Sequence, residues 1–460
     1  MTDTARLLEL LACPRCDKTP LAAEKKHFHC AACKTNYPRV GDIPWMFAEP
    51  DASLGEWRNR LHFALQQLAH EAKRLQAELA SSDLNELTRT RLQAMQQATE
   101  QHRQTLQRLL SPVDVQSLQA SYESHLALRT RLPSDQGLQT YYANVHRDWN
   151  WGEQENRAST EQLRAALSSD GEAALGDTAV LGAGACRLAY DLHQSFATDR
   201  LLALDFNPLL LFIARDVVHG ERLQLHEFPL APKSQADGAV LRELSAPEVV
   251  REGFYLLFGD VLRPPFAEAS LDTVVTPWLI DIVSEDFPVF AGRVNRLLKP
   301  GGRWLNFGSL AFDHPQRARR YRREEVIDIV GNTGFDVTGV SEADIPYMNS
   351  PASRHGRLET VFTFCATKSG DVQRAPRYKA LPDWIVTGKE AVPLLPSFRT
   401  QAMSTQIYTF IMSLIDGQRS IEDMARVLEQ QQLMSRKEAV PAIRQFLTRM
   451  YDDSQRQSGF

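Results

Sequence analysis

The central part of the chain alternates short apolar runs with stretches of helical periodicity. Alternation of this kind is typical of parallel strands joined by crossover helices. We therefore predict an α/β domain over residues 136–370, built on a Rossmann-like, doubly wound sheet. Residues 221–253 are expected to be an insertion, and residues 359–368 a late antiparallel strand at the sheet edge. The five runs predicted as parallel strands are residues 177–184, 200–207, 254–261, 271–280 and 301–310.

A different periodicity comes before this domain. Leucine and other core-type residues recur every three or four positions from Leu61 to Leu79 and again from Leu92 to Leu109. This spacing predicts two helices, each with an apolar seam, separated by a short polar break. We expect the two seams to face each other in an antiparallel helical hairpin within residues 51–135. A dimer interface is the alternative that the same heptads allow.

The size and composition are those of a globular protein with several domains. The chain has 460 residues, more than one hydrophobic core usually organises, with 43% hydrophobic and 24% charged residues. A net charge of −5 gives the whole molecule no general attraction to nucleic acid. The sequence contains no apolar run of about eighteen residues and no signal-peptide pattern. We therefore expect a cytoplasmic protein without a membrane segment.

Four of the six cysteines form two CxxC pairs near the amino terminus, separated by thirteen residues. In a reducing compartment, two such pairs are typical of a tetrahedral zinc site, and four thiolates leave no position open for catalysis. We therefore predict one structural zinc ion. His27 and His29 lie between the pairs, where polar positions on a strand explain them better than metal ligation. The predicted ligands are Cys13, Cys16, Cys30 and Cys33.

The sequence around these cysteines resembles a family of short zinc-ribbon proteins. The likeness runs from LLELLACPRC at the start to YPRVGDIPWM at the end and covers about the first 47 residues. Members of that family assist tRNA and protein methyltransferases. The resemblance implies a zinc ribbon over residues 1–50 and a surface that a protein partner would contact.

The first predicted strand ends in a glycine-rich loop, GAGAC. Gly182 and Gly184 let the backbone pass close to a ligand at the start of a helix, and Cys186 follows where a third glycine would be expected. Asp205 closes the second predicted strand, where an acid accepts both hydroxyls of a ribose. Asp260 follows the third strand, in a position to reach an adenine amino group. These residues favour a nucleoside ligand without a pyrophosphate.

The order of these motifs resembles that of class I S-adenosylmethionine-dependent methyltransferases, which implies S-adenosylmethionine as the cofactor. The motifs are G-x-G, an acid after the second strand, GD after the third and LLKPGG before the fifth. Over residues 140–368 the chain further looks like the carnosine N-methyltransferase family. The resemblance is carried by the stretches YYANVHRDWNWGEQEN, GAGACRLAYDL and WLIDIV. That family methylates an imidazole nitrogen of a histidine-containing dipeptide. Its arginine after the glycine loop, matched here by Arg187, would pair with the methionine carboxylate of the cofactor.

Three further residues are candidates for the acceptor site. Asp281 in WLIDIV matches the family's acid that holds the imidazole, and its alternative role is a helix cap. A carboxylate that accepts one ring N–H fixes the tautomer and makes the other ring nitrogen more basic. The family's histidine after the fifth strand is Asp313 here, with His314 one position later. Tyr347 lies in YMNSPASRH, which resembles the segment that closes over the substrate.

The composition changes again at residue 371. A proline-rich linker leads into three predicted short helices, and the sequence LIDGQRSIEDMA resembles the small winged-helix modules found on peptide-modifying enzymes. We therefore predict a winged-helix-like module within residues 371–460. This module is a second candidate contact for a protein partner.

The patterns favour an enzyme that methylates an imidazole nitrogen of a histidine-containing small molecule or peptide. One alternative is an RNA base methyltransferase, because ribosomal RNA guanine methyltransferases also carry a four-cysteine module before this fold. The basic run at 317–323 is its support, and the net charge argues against it. The other alternative is a non-catalytic scaffold that binds partners through the zinc ribbon or the winged-helix-like module.

Overall fold

An eleven-stranded sheet and a separate two-stranded sheet contain the strands found in the described part of the chain. The computed structural model describes residues 3–115, 141–168, 174–375 and 391–457. The strands are β1 (Ala22–Ala23), β2 (His27–Cys30), β3 (Thr35–Val40), β4 (Ile43–Met46), β5 (Ala174–Leu181), β6 (Ala197–Asp205), β7 (Leu223–Glu227), β8 (Val240–Leu244), β9 (Phe254–Gly259), β10 (Leu271–Pro277), β11 (Leu298–Gly308), β12 (Phe335–Tyr347) and β13 (Arg357–Lys368).

The large sheet has the order β1-β2-β3-β4-β9-β6-β5-β10-β11-β13-β12. From β4 to β11 every neighbouring pair is parallel, while β13 runs antiparallel to both β11 and β12. Parallel strands need crossover connections, which helices supply between most of these strands. This order confirms the predicted Rossmann-like, doubly wound α/β fold.

The predicted late strand is antiparallel as expected, but its predicted place at the sheet edge is wrong. β13 lies between β11 and β12, so β12 forms this edge. Every residue from Val361 to Ala366 is buried, as a strand covered on both faces requires. β12 is mostly half-buried or exposed along its length. Because β12 has no continuous apolar run, the sequence pattern did not reveal it.

The helices lie on both sides of the large sheet and in a separate carboxyl-terminal group. In the described residues they are α1 (Asp3–Leu8), α2 (Pro50–Leu79), α3 (Glu86–Leu109), α4 (Tyr142–His146), α5 (Glu153–Ser168), α6 (Arg187–Ser195), α7 (Pro208–Val218), α8 (Phe287–Leu297), α9 (Arg323–Asn332), α10 (Pro396–Ser413), α11 (Ile421–Gln430) and α12 (Arg436–Gln457). A π-helical turn, Arg147–Trp151, joins α4 to α5. None of the helices in the described residues is both long and apolar enough to cross a membrane.

Two hydrophobic cores cover the two faces of the sheet. In β5, Ala179 and Leu181 belong to one core, and Val180 between them belongs to the other. Successive side chains of a strand point to opposite faces, so this division shows that β5 is buried on both sides. The helical hairpin and α7 pack into the core of Val180, while α8, α9 and the cysteine-containing segment pack into the other.

Helices α2 and α3 pack against each other, as the two seams predict. Leu61, Leu68 and Leu75 of α2 are buried, as are Leu92 and Leu106 of α3. Part of each seam also joins the core that covers the sheet. The seams are therefore occupied within one chain, in the manner of a hairpin. The predicted insertion 221–253 forms the antiparallel sheet of β7 and β8.

The chain divides into two compact units, Met1–Tyr378 and Lys379–Phe460. The predicted zinc ribbon, helical hairpin and sheet domain all lie in the first unit. The predicted boundary at 135–136 and most of the predicted linker lie outside the described residues, so the bounds of the four predicted domains stay predictions. In the second unit, α10, α11 and α12 enclose a small core, which includes Ile411, Met424, Leu428 and Ile443.

Candidate active site

The glycine-rich loop after β5 forms a tight turn that leads into α6. Gly182, Gly184 and Cys186 all adopt left-handed backbone angles, with φ of 72°, 58° and 66°. Glycine takes this conformation without strain, whereas a side chain makes it uncommon. A Cβ added at Gly184 would meet no other atom within 4 Å, so the space beside Gly184 is open to a ligand. Cys186 is fully buried, and burial raises the pKa of its thiol, which does not favour a nucleophile.

Two acids lie at the ends of the strands next to this loop. The Asp205 carboxylate accepts hydrogen bonds from the N–H of Gly184 and the N–H of Asn207, both at 2.8 Å. Burial raises the pKa of Asp205 to about 6. Asp260 follows β9 and accepts from the N–H of Leu262 at 2.8 Å, and burial raises its pKa also. β9, β6 and β5 are neighbouring parallel strands. The two acids and the loop, which follow the carboxyl ends of these strands, therefore lie on the same side of the sheet.

Arg187, the predicted partner of the cofactor carboxylate, already binds several acceptors of the protein. Its Nε donates to both carboxylate oxygens of Asp191, at 2.9 and 3.0 Å. Its two terminal nitrogens donate to the carbonyl of Asp148 and the carboxylate of Glu153, each at 2.8 Å. These bonds fasten the start of α6 to the turn before α5. The contact with a cofactor stays a prediction.

Asp281 has one satisfied and one free carboxylate oxygen. It lies in the segment after β10 and is 8% exposed. Its Oδ2 accepts from the hydroxyl of Ser309 at 2.5 Å and from the N–H of Ala311 at 2.8 Å. Its Oδ1 is buried and has no hydrogen-bond partner. Asp286, not Asp281, is the N-cap of α8, so the helix-cap alternative does not describe this side chain.

An aromatic group stands beside the carboxyl ends of β10 and β12. The ring of Tyr347 packs against that of Trp278, with centroids 4.7 Å apart. The guanidinium groups of Arg147 and Arg357 lie 5.8 and 4.6 Å from the centre of the Tyr347 ring. Trp278 has a positive φ of 50°, an uncommon conformation for a bulky residue. Strained backbone of this kind is often found at functional sites.

A buried ion pair holds the turn that follows Tyr347. Glu155 accepts from the guanidinium of Arg147 at 3.1 Å and, through its other oxygen, from the N–H of Met348 at 3.0 Å. Arg147 also donates to Asp148 at 2.7 Å. The network joins the π-helical turn and α5 to the end of β12. It therefore fixes the position of the Tyr347 ring.

Tyr141 is a site residue that sequence reasoning missed. Burial and the nearby groups of Asp205, Tyr347 and Asp281 raise the pKa of its hydroxyl. Tyr141 is therefore an electrostatic neighbour of both the predicted cofactor acid and the predicted acceptor acid. The stretch YYANVH contributes to the family resemblance, but nothing in its spacing distinguishes Tyr141 from Tyr142.

His314 lies on the loop after β11 and is half-buried. Its Nδ1 accepts from the N–H of Gln316 at 3.0 Å, and its carbonyl accepts from Arg320 at 2.7 Å. The neighbouring Asp313 is exposed and pairs with Arg320 at 3.1 Å. These contacts keep His314 within its own loop, so its catalytic role stays a prediction from sequence resemblance.

The basic run at 317–323 is partly neutralised by acids. Arg319 lies 3.5 Å from a carboxylate oxygen of Asp286, and Arg323 lies 3.0 Å from Glu342. With Arg320 also paired, few of its charges are available to a phosphate backbone. The run therefore adds little to the hypothesis of an RNA substrate.

The four predicted zinc ligands converge beside β2, at the opposite end of the strand order from β12. All four sulfur atoms lie within 4.8 Å of one another, with Cys13–Cys33 and Cys16–Cys30 distances of 3.5 Å. A tetrahedral site with Zn–S bonds of about 2.3 Å brings its sulfurs to about 3.8 Å from one another. Burial raises the pKa of Cys13. Burial alone would raise the pKa of Cys33 also, but its hydrogen bonds with Thr35 and Cys13 lower that pKa to about 6. The donor set and its spacing fit zinc.

Comparisons with known proteins give structural likeness without sequence relatives. No family model and no curated protein matches the sequence. Among solved structures, a S-adenosylmethionine-dependent methyltransferase from Methanosarcina mazei matches at 12% identity and a TM-score of 0.29, over 43% of this chain and 93% of its own. One from Aquifex aeolicus matches at 14% and 0.29, over 45% and 89%. A complex of the Haloferax volcanii Trm112 methyltransferase activator with a candidate methyltransferase matches at 16% and 0.34, over 51% and 97%.

Proposed function

We propose that this protein is a S-adenosylmethionine-dependent N-methyltransferase that acts on an imidazole nitrogen of a histidine-containing small molecule or peptide. The observation that carries the proposal is the free Oδ1 of Asp281. Asp281 follows the carboxyl end of β10, next to the carboxyl end of β5, where the turn at Gly184 is open. A nucleoside site and a buried, unpartnered carboxylate oxygen are what such a reaction needs side by side. In open α/β sheets, ligands bind outside the carboxyl ends of the strands, at the point where the strand order reverses.

The residues around the glycine loop are suited to hold the cofactor. Asp205 would accept the ribose hydroxyls, Asp260 would accept from the adenine amino group, and Gly184 leaves room for the ligand against the backbone. Arg187 is proposed to pair with the methionine carboxylate through a donor that its internal bonds leave over. S-adenosylmethionine, when bound, supplies an electrophilic methyl group carried on a sulfonium.

Asp281 is proposed to bind and orient the acceptor ring. Ser309 and Ala311 hold its Oδ2, which leaves Oδ1 to accept the N–H of an imidazole. That hydrogen bond selects the tautomer whose other nitrogen carries the lone pair, and it raises the basicity of that nitrogen. Positioning, more than proton transfer, would then supply the rate.

Tyr347 and Trp278 are proposed to form the aromatic wall of the acceptor site. A neutral imidazole ring packs favourably against aromatic faces or edges, and the Arg147–Glu155 pair keeps Tyr347 in place. His314 is kept as a predicted contributor from the loop after β11. A protein partner at the zinc ribbon or at the three-helix unit stays a further prediction.

A tritiated-methyl transfer assay tests the proposed function. The acceptors are histidine dipeptides and histidine-containing peptides, and calorimetry with S-adenosylmethionine is run on the same preparation. We expect saturable binding of the cofactor and label on the imidazole. Failure to bind S-adenosylmethionine would support the scaffold alternative, and loss of label from a lysate after RNase treatment would support the RNA alternative.

We further propose that the four cysteines hold one structural zinc ion. The cysteine-containing segment leads directly into β4, which pairs with β9 in the large sheet. β9 ends next to Asp260, so order in this segment would stabilise the cofactor side of the sheet.

Replacement of Cys16 by serine is expected to remove zinc. Because a structural site needs all of its thiolates, we expect zinc content to fall from about one ion per chain to less than about a tenth, with a lower Tm. Elemental analysis of the purified protein measures the zinc content. Cys365→Ala is the matched control, since Cys365 is a buried cysteine of β13 outside the cluster. Full zinc content in the Cys16 variant would contradict the site.

A further inference from the structure

A large cavity adjoins the proposed acceptor site. Its volume is about 690 Å³, within the range of about 300–1,000 Å³ typical of ligand pockets. Helices α2 and α3, the segment from Tyr142 to Trp151, the end of β7 and the turn after β12 enclose it. Tyr347 belongs both to this wall and to the aromatic pair with Trp278 that is proposed for the acceptor site. We call this space the side cavity.

The side cavity has a mostly apolar lining. Leu68, Leu75 and Met95 come from the helical hairpin, and Phe228 and Leu230 come from the segment after β7. Leu230 is 78% exposed, so the described residues leave most of its apolar side chain uncovered. Apolar lining with a few polar groups is typical of a site that binds a ligand.

The charged groups of this lining are already paired. Glu227 lies 2.8 Å from Arg242, Glu71 lies 2.9 Å from Arg74, and Arg357 lies 2.6 Å from Glu359. No lysine lines the cavity, and Arg357 is the only arginine among its described lining residues. Apart from Arg357, which already pairs with Glu359, the described lining offers no arginine or lysine to a terminal carboxylate.

Two histidines of the wall, His102 and His146, add no positive charge near neutral pH. Burial lowers the pKa of His102 to about 4 and that of His146 to about 3. A zwitterionic dipeptide would bring two charges into this neutral, apolar space. Burying charges without partners is unfavourable, and a ligand of two residues would leave most of the apolar wall in contact with water.

We propose that the side cavity binds the apolar flank of a peptide whose histidine reaches Asp281. The acceptor is then a histidine inside a peptide segment with uncharged, apolar neighbours, and not a free dipeptide. This inference rests on the proposed N-methyltransferase function. The helical hairpin supplies one wall of this substrate site.

A panel of three acceptors tests the proposal by methyl transfer. The first is an end-blocked hexapeptide with histidine between leucine and phenylalanine residues, the second has aspartate and lysine in their place, and the third is β-alanyl-histidine. We expect kcat/KM for the first to exceed the other two by about 10-fold or more, since single apolar contacts discriminate by about that factor. An equal or better result with either other acceptor overturns the proposal.

The two levels of the argument fail in different ways. If S-adenosylmethionine binds but none of the three acceptors is methylated, the proposed peptide class is wrong. If S-adenosylmethionine does not bind to folded, zinc-containing protein, the proposed function itself is wrong. Calorimetry with the cofactor alone separates these results.

A pair of exposed leucines supplies a matched test of the cavity. Leu230 lines the side cavity, whereas Leu241 lies on β8 of the same insertion, is 51% exposed and is not part of the lining. We expect Leu230→Glu to raise KM for the apolar hexapeptide by about 10-fold, with kcat, cofactor affinity and Tm unchanged. Leu241→Glu should change none of them. Equal KM values for the two variants overturn the proposal.

Discussion

Replacement of Asp281 by asparagine is expected to lower kcat by about 10²- to 10⁴-fold, the range for loss of a group that sets the tautomer of a reacting imidazole. The reason lies in the bonds of Oδ2. Ser309 and Ala311 both donate to this oxygen, so the amide oxygen of asparagine would take its place. The amide NH2 would then face the acceptor ring and bind the imidazole in the wrong tautomer, with its N–H towards the methyl donor.

The measurement is steady-state methyl transfer together with calorimetry. Cofactor affinity of the Asp281 variant should stay within about twofold of the parent, since the side chain is proposed to touch the acceptor and not the nucleoside. Asp313→Asn is the control, because Asp313 lies in the nearby loop with its side chain 89% exposed. Unchanged kcat for Asp281→Asn would remove Asp281 from the acceptor site.

The strands that position the site were predictable because they are buried on both faces. A parallel strand inside an α/β sheet gives a continuous apolar run. The first polar or glycine residue at the end of that run marks the carboxyl end of the strand, where ligands bind. This logic placed Gly182 and Asp205 correctly at the ends of β5 and β6. The fourth predicted strand ended too late. β10 ends at Pro277, because Trp278 turns to a positive φ and donates its N–H to Phe307 at 2.7 Å.

Features set by contacts between distant segments could not be predicted. The sequence shows that Arg187 follows the glycine loop, but its ion pair with Glu153 joins residues on either side of β5. Tyr141 is an electrostatic neighbour of Asp205 and Asp281, which lie 64 and 140 positions later in the sequence. The apolar run of β13 was visible, but its neighbour β12 was not, because an edge strand with polar residues leaves no periodic signal.

Replacement of Asp205 by alanine is expected to weaken S-adenosylmethionine binding by about 100-fold or more, since hydrogen bonds to a charged group contribute about 1.5–3 kcal/mol each. The variant loses the proposed acceptor of two ribose hydroxyls. It also leaves the N–H of Gly184 without its partner, which loosens the glycine turn. Asp199→Ala is the control, because Asp199 is an exposed acid near the opposite end of β6. Equal Kd values for the two variants would exclude Asp205 from the cofactor site.

The same carboxylate gives cofactor binding a dependence on pH. Burial raises the pKa of Asp205 from its usual 3.8 to about 6, so the free protein carries a protonated Asp205 at pH 5, where one acceptor is lost. Its contribution to folding stability is present below pH 4 and is lost as pH rises through about 6. Cofactor affinity changes in the opposite direction, because the hydroxyls need the carboxylate. We expect Kd to fall by up to about tenfold from pH 5 to pH 7, measured by calorimetry. Asp205→Asn should show a flat profile, and a flat profile in the parent protein would contradict this role.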